Sequence, residues 1–270
     1  MAEPLAAFGI WRRLVGAQIR SQLQYRVSFV LETIGMFLFA FMDLFAILVI
    51  FHNVPQLAGW SAAEVVFLYA TAMLAFAFTD MVIGHLDLFP QTIRDGKFDL
   101  LLVRPRGTLL QVVASDFHIR RVGKAIQAAI VLVAALAVLD VDWTVGRALM
   151  LPAMIVSGAL IYGAVWVAAI CVAFWTVEGR EAANAFTYGS SFLAQYPINV
   201  YAAWLRRFFA FVIPAAFVSY FPSLYVLGKA DPLGSPRLLQ FASPAVAVVT
   251  CVVAGFVWRF AVRHYRSTGS

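Results

Sequence analysis

Residues 148–177 read ALMLPAMIVSGALIYGAVWVAAICVAFWTV, and no charged side chain interrupts them. A helix of this length rises about 45 Å at ~1.5 Å per residue, more than the ~30 Å of a bilayer's hydrocarbon core. The stretch is apolar on every side, so it has no face to turn to water. The same reading extends outward in both directions. Residues 44–63, 125–139, 182–205, 208–228 and 238–258 are also free of Asp, Glu, Lys and Arg, and 65–83 contains only Asp80. The apolar run before 44 reaches back to Phe29, interrupted by Glu32 and Asp43. Apolar residues make up 63% of the 270 positions, against roughly 45–50% in soluble chains. A water-exposed domain of this size could not hide that surface. The chain is therefore read as an all-α polytopic membrane protein. Six helices are expected at about 28–51, 64–84, 121–139, 148–175, 183–201 and 242–261.

Orientation follows from the basic residues, because short cytoplasmic loops are enriched in Lys and Arg. With the N-terminus inside and six spans, fifteen basic residues fall inside and five outside. The inner set includes Arg12, Arg13, Arg20, Arg26, Arg94, Lys97, Arg104, Arg106, Arg121, Lys124 and Arg263. The excess makes the net charge of +6 a matter of topology, and no nucleic-acid partner is expected. Both termini are placed in the cytoplasm. Residues 208–228 form a seventh apolar stretch broken by Pro214 and Pro222. Two readings keep six spans. In one, 208–228 is a re-entrant helical hairpin on the outer side, within an outer segment 203–240. In the other, 183–201 lies on the inner surface and 208–228 crosses, which brings seventeen basic residues inside. The broken helix favours the first reading, and charge counting favours the second. Trp60, Trp143, Trp204 and Trp258 fall near span ends, where an indole sits between lipid and water. The N-terminus has no apolar core between Arg13 and Arg20, so delivery by the first span is expected rather than a secretory signal.

Two amphipathic elements lie outside the spans. Over residues 5–26, Phe8, Trp11, Val15, Ile19 and Leu23 recur at helical spacing, with Arg12, Arg13 and Arg20 off that stripe. This predicts a helix lying on the inner leaflet. The inner loop, residues 85–120, is too long and too apolar to be slack chain. Asp87 and Pro90 suit the start of a short helix, Asp95-Gly96 suits a turn, and Phe98 with Leu100–Val103 makes an apolar patch flanked by charge. Such a patch either packs under the spans or receives a partner.

Catalytic chemistry finds no footing. The sequence contains no G-x-x-x-x-G-K-[ST] loop, no H-E-x-x-H, no C-x-x-C and no G-x-S-x-G. The four histidines are dispersed, so no metal site is expected. Cys171 and Cys251 read as two small buried hydrophobes. Asp43 is the deepest acid in a span and, with Phe39 and Phe76, is the candidate for lining a substrate path. Glu32 and Asp80 lie close enough to the inner surface for solvation at headgroup level, and Lys124 is expected to snorkel. Ala159 and Gly163 permit close helix packing.

The string Ile93-Arg94-Asp95-Gly96-Lys97-Phe98-Asp99-Leu100-Leu101-Leu102-Val103-Arg104-Pro105 resembles a signature of ABC-2 family transporter permeases, the six-span branch of about 260 residues. Phe211–Phe217, Phe221-Pro222, Leu227-Gly228 and Asp231-Pro232 also resemble that branch, and the likeness runs through nearly the whole chain. It implies a single transmembrane permease domain over 1–270 with the ABC-2, type V exporter-like fold. It implies a connecting helix at about 5–26 and a re-entrant outer segment. It implies that Asp95, Gly96, Lys97, Phe98, Asp99, Arg104 and Pro105 belong to a coupling element that docks onto a separate ABC ATP-binding subunit. ATP and Mg would be bound by that partner, with no cofactor on this chain. A second permease subunit, identical or related, would complete the pathway in a bacterial cytoplasmic membrane. Transport would proceed by alternating access, with a lipophilic or amphiphilic cargo suggested by the apolar, aromatic spans. A secondary transporter or channel without an ATPase, and a membrane scaffold or assembly factor, remain as alternatives.

Overall fold

The structure is a computed structural model that describes residues 26–117, 121–176 and 179–265, together with residues 16, 20 and 24. The expected surface helix over 5–26, with Trp11, Arg12 and Arg13, lies outside the described residues; Arg20 is helical and exposed. The described residues are helical, with no strand among them beyond an isolated bridge between Leu57 and Trp60.

In chain order the helices are α1 (Arg26–Asn53), α2 (Ala62–Ile83), α3 (Phe89–Arg94), α4 (Lys97–Leu102), α5 (Thr108–Val113), α6 (Val122–Val138), α7 (Val145–Ile170), α8 (Gly179–Ala194), α9 (Ala203–Arg207), α10 (Tyr220–Val226) and α11 (Ser243–Arg263). Four helical runs are long and apolar enough to cross a membrane. They are α1, α2 with its continuation to Arg94, α7 with its continuation to Phe174, and α11. The 17 residues of α6 reach about 25 Å, an apolar helix shorter than those four. Five of the six expected helices therefore lie where the charge-free windows place them.

α2 is the centre of the bundle and is buried along most of its length. It packs on α6, α7 and α1, and α7 also packs on α11 and α8. Close approach is built in at glycines. A Cβ on Gly123 of α6 would meet the Thr33 carbonyl oxygen of α1. On α7 a Cβ on Gly158 would come within 2.9 Å of Val218 and 3.0 Å of Ala75. Expected Gly163 makes only ordinary contacts, while the Ala159 carbonyl accepts a 2.8 Å hydrogen bond from Thr79.

The fifth window differs from its expectation. α8 stops at Ala194, and the chain continues through Pro197 and one short turn to Tyr201. Proline has no N–H to continue the ladder and disfavours helix at the residue before it. Gln195 donates to the Met73 sulfur at 3.3 Å, midway along α2. The helix thus ends inside the bundle. The next apolar stretch, Ala203–Val212 followed by Ala215–Val226, bends by 74°. A π-helical turn at Phe208–Val212 and Pro214 make the break. The Ser219 hydroxyl, at this elbow, donates to the Ala194 carbonyl at 2.5 Å and satisfies the interrupted end of α8. Val218 lies against Gly158, whose other close neighbour is Ala75 of α2, so the elbow is at mid-bundle. Its two legs return to one end: Asn199 donates to the Ala58 carbonyl, and Lys229 pairs with Glu64.

The bundle consequently has a hairpin end (residues 54–61, 139–144, 198–207 and 227–242) and a basic end (84–117, 171–176 and 258–265).

Candidate functional site

At the basic end, α2 finishes in a buried charge. Asp80 is fully buried and pairs with the Arg121 guanidinium and, at 3.1 Å, with Lys124. Headgroup-level solvation of Asp80 and snorkelling of Lys124 are both replaced by this pairing. A charge removed from water must find an opposite charge nearby. Gly84 makes room, because a Cβ there would collide with the Arg121 guanidinium and the Asp80 carboxylate. One turn on, Asp87 does not cap the following helix. It accepts from the Trp166 indole at 3.1 Å and the Tyr188 hydroxyl at 2.8 Å, which ties the start of the segment to α7 and α8. Pro90 is in the first turn of α3, where its missing N–H costs nothing.

The segment then folds on itself. Asp95 closes α3, and Gly96 takes the left-handed conformation, φ 65°, which glycine adopts without strain. The Asp95 carboxylate receives the Lys97 ammonium at 2.7 Å and the Gln91 amide at 2.6 Å. These bonds hold its pKa below the usual carboxylate range. Phe98 is the anchor. It is completely buried and meets Phe89, Phe174, Trp258 and Tyr265 edge-on, with centroids 5.0–6.4 Å apart. The Trp258 indole also donates to Thr108 of α5 at 3.1 Å. Gln111 donates to the carbonyls of Leu101 (3.1 Å) and Arg106 (2.8 Å), pinning the loop between α4 and α5.

With Phe98 directed inward, its neighbours point out. Leu100, Leu102 and Val103 are exposed, Val103 at 81%. Arg104, Pro105 and Arg106 are exposed beside them, and Asp99 is half-buried in the first turn of α4. A groove of about 440 Å³ runs beside this tip, lined by Leu88, Thr92, Lys97, Leu100, Leu101 and Arg104 among others. The seven residues from Asp95 to Pro105 singled out in the sequence are thus brought into one compact projection.

The three path candidates are not brought together. Phe39 is 68% exposed on α1. Asp43, one turn on, is half-buried and within electrostatic reach of Lys124, Tyr69 and Tyr196. Phe76 is packed inside, stacked on Trp166 at 5.7 Å and edge-on to Tyr162 and Tyr188. An open apolar groove of about 370 Å³ is lined instead by Phe78 with residues of α7 and α11. Cys251 borders it and is exposed, whereas Cys171 is buried.

At the hairpin end, Ser61 and Glu64 form a capping box at the start of α2. Glu64 also receives Lys229 at 2.8 Å. Trp60, expected at the lipid interface, is completely buried under the Lys229 ammonium, 5.0 Å from its ring, and against Tyr220. Trp258 is likewise interior, while Trp143 and Trp204 are exposed as expected.

The sequence reading missed the Asp80–Arg121–Lys124 cluster as a unit. Its signal was present: one acid in an otherwise uncharged window, and two cations at the start of the next. The family model for ABC-2 family transporter proteins matches residues 37–269. No curated protein and no solved structure matches the chain.

Proposed function

The chain belongs to the ABC-2 transporter family, and on that premise we propose that this permease subunit is the membrane half of an ATP-driven exporter. The basic end faces the cytoplasm, a reading that the distribution of Lys and Arg supports. The six spans are α1, α2, α6, α7, α8 with its extension to Tyr201, and α11. The bent segment 203–226 is re-entrant, entering and leaving at the hairpin end. Two permease subunits, identical or related, enclose the pathway. ATP and Mg act on separate ATP-binding subunits. The cargo is lipophilic or amphiphilic, and Asp43 and Phe39 border its route.

One observation carries the coupling role. The projection of residues 95–106 leaves Leu100, Leu102 and Val103 exposed beyond the end of the spans, between Lys97 and Arg104. At that position they face water rather than lipid. Phe98 fixes their mount in the aromatic cluster, so a push on the tip moves α3, α4 and the ends of α7 and α11 together. Closure of the ATPase dimer on nucleotide would shift the permease between two arrangements by differential binding to them.

The test is a double substitution, Leu102→Asp with Val103→Asp. The variant should insert and unfold like the wild type. It should lose the co-purifying ATP-binding subunit, and cargo-stimulated ATP hydrolysis should fall to background. Wild-type ATPase recovery and transport would defeat the docking assignment.

A further inference from the structure

The hairpin end contains a second built feature that coupling does not use. A cavity of about 600 Å³ opens beside the turn after α10, lined by Arg147, Tyr225, Lys229, Asp231, Arg237 and Gln240 among others. We propose that it receives a phosphate-type anionic headgroup of an amphiphile in the adjoining leaflet.

Charge is the first reason. Three cations line the cavity and one carboxylate does, and that carboxylate is already engaged. Asp231 accepts from the Tyr220 hydroxyl at 2.6 Å, the Leu233 amide at 2.9 Å and the Ser235 amide at 3.1 Å. Glu64 neutralises Lys229 from the far side. Arg147 has only a weak partner: Asp142 is 3.8 Å away and almost wholly in solvent. Asp231 keeps its charge but its oxygens are taken by the Tyr220, Leu233 and Ser235 donors, so the Arg147 and Arg237 guanidiniums are the groups left to meet an anion.

Construction is the second reason. The Arg147 guanidinium is held by one bond, Nη1 donating to the Asp142 carbonyl at 2.7 Å. Its Nη2 lies against Gly228, which is left-handed at φ 63° and where a Cβ would come within 2.6 Å. A side chain is thus absent where the guanidinium rests. Tyr225 forms the floor, tilted on Phe241 at 4.5 Å, with its hydroxyl against Gly146. A planar guanidinium with free N–H groups, fixed in place, suits the paired oxygens of a phosphate.

The third reason is the rim. Phe241 lines the cavity, and Leu238, next to Arg237, is 78% exposed. Val145 and Leu149, which flank Arg147 on α7, are exposed too. Cations fixed beside outward apolar residues at the start of two spans match a headgroup with its acyl chains alongside.

The full chain is placed in nanodiscs of phosphatidylcholine, or of phosphatidylcholine mixed with phosphatidylglycerol of the same chains. Thermal unfolding is recorded, and retained lipids are counted by native mass spectrometry. Phosphatidylglycerol should raise the wild-type midpoint by several degrees and leave lipid bound. Arg237→Gln, whose side chain is exposed, and Arg147→Gln should each lose most of that rise; Arg263→Gln, at the opposite end, should keep it. If Arg147→Gln folds poorly in phosphatidylcholine, Arg237→Gln decides. No rise in the wild type, or a full rise in Arg237→Gln, overturns the site. An equal rise from inorganic phosphate in phosphatidylcholine discs overturns the amphiphile and leaves a free-anion site. ATPase docking does not enter these readouts, so failure here and failure of the coupling role are separable.

Discussion

The two ends of this bundle use the same materials, arginine, lysine, aromatic rings and glycine turns, and satisfy them in opposite ways. At the basic end the deepest charges are matched internally: Asp80 takes both Arg121 and Lys124. What is left over there includes an apolar tip, the exposed Leu100, Leu102 and Val103, set among the exposed Lys97, Arg104 and Arg106. At the hairpin end Trp60 is sealed beneath Lys229, while Leu238 and Trp204 stay exposed. What is left over is positive charge around Arg147 and Arg237. The surplus at each end suits the occupant proposed for it, a protein surface at one and an anionic group at the other.

The comparison breaks first if the internal matching at the basic end is weaker than described. Asp80→Asn leaves Arg121 and Lys124 without their shared counter-charge in a water-poor site. Removing one partner of a buried pair costs about 3–5 kcal/mol, and this is the largest effect expected. Denaturant titration of the purified chain in detergent should show it, and Asp80→Glu should recover part of it. A change under ~1 kcal/mol would mean that Asp80 is solvated. Phe98→Ala follows. Emptying a fully buried ring site costs about 3–5 kcal/mol in a rigid core. The lower part of that range is expected here, because the site is at the margin of the bundle and its neighbours can close inward. The variant should also lose ATPase recovery, since the projection loses its mount. Stable chain with normal ATPase recovery would separate Phe98 from the docking tip.

The helices were legible because spans are specified by length and by absence of charge, and both survive without knowledge of neighbours. Gly96 was legible too, since Asp-Gly after a short helix demands a turn. Partners across the bundle were not. Nothing local in α2 says that Asp80 meets residues 41 and 44 positions later, or that Trp60 is under Lys229 rather than in lipid. Phe98 and Leu100 look alike in sequence. Only the packing of Phe174, Trp258 and Tyr265 around one of them distinguishes anchor from tip. α8 misled for a related reason. Its apolar window continues to Leu205, but Pro197 and the elbow at Ser219 end the helix at Ala194.

Smaller effects sharpen the contrast. Glu64→Gln removes the charge facing Lys229 but keeps an oxygen for the Ser61 amide, which Glu64 accepts at 2.7 Å. The pair is partly exposed, so the loss should be about 1 kcal/mol. Because Lys229 also covers Trp60, tryptophan fluorescence should report a loosened hairpin end while ATPase recovery is unchanged. Reduced ATPase recovery in this variant would show that the two ends are coupled more tightly than their separate construction implies.

The smallest effect belongs to Asp95, whose pair with Lys97 is on the surface of the projection. Its carboxyl is held low, by the Lys97 ammonium first and the Gln91 amide second. A group whose pKa is depressed on folding contributes above its unfolded value, about 3.9 for Asp, and the contribution fades as pH falls through the lowered one. Between about pH 5 and 8 the pair is therefore constant on that scale, and Asp95→Asn should lower the unfolding midpoint only slightly, as expected for an exposed pair, and leave its pH dependence in that window unchanged. Any larger effect should appear in recovery of the ATP-binding subunit, because Asp95 and Lys97 flank the docking tip while the fold is held from below by Phe98. A clear drop in unfolding midpoint for Asp95→Asn at neutral pH would mean that the Gly96 turn depends on this carboxylate. The anchor beneath the projection would then be insufficient to hold it.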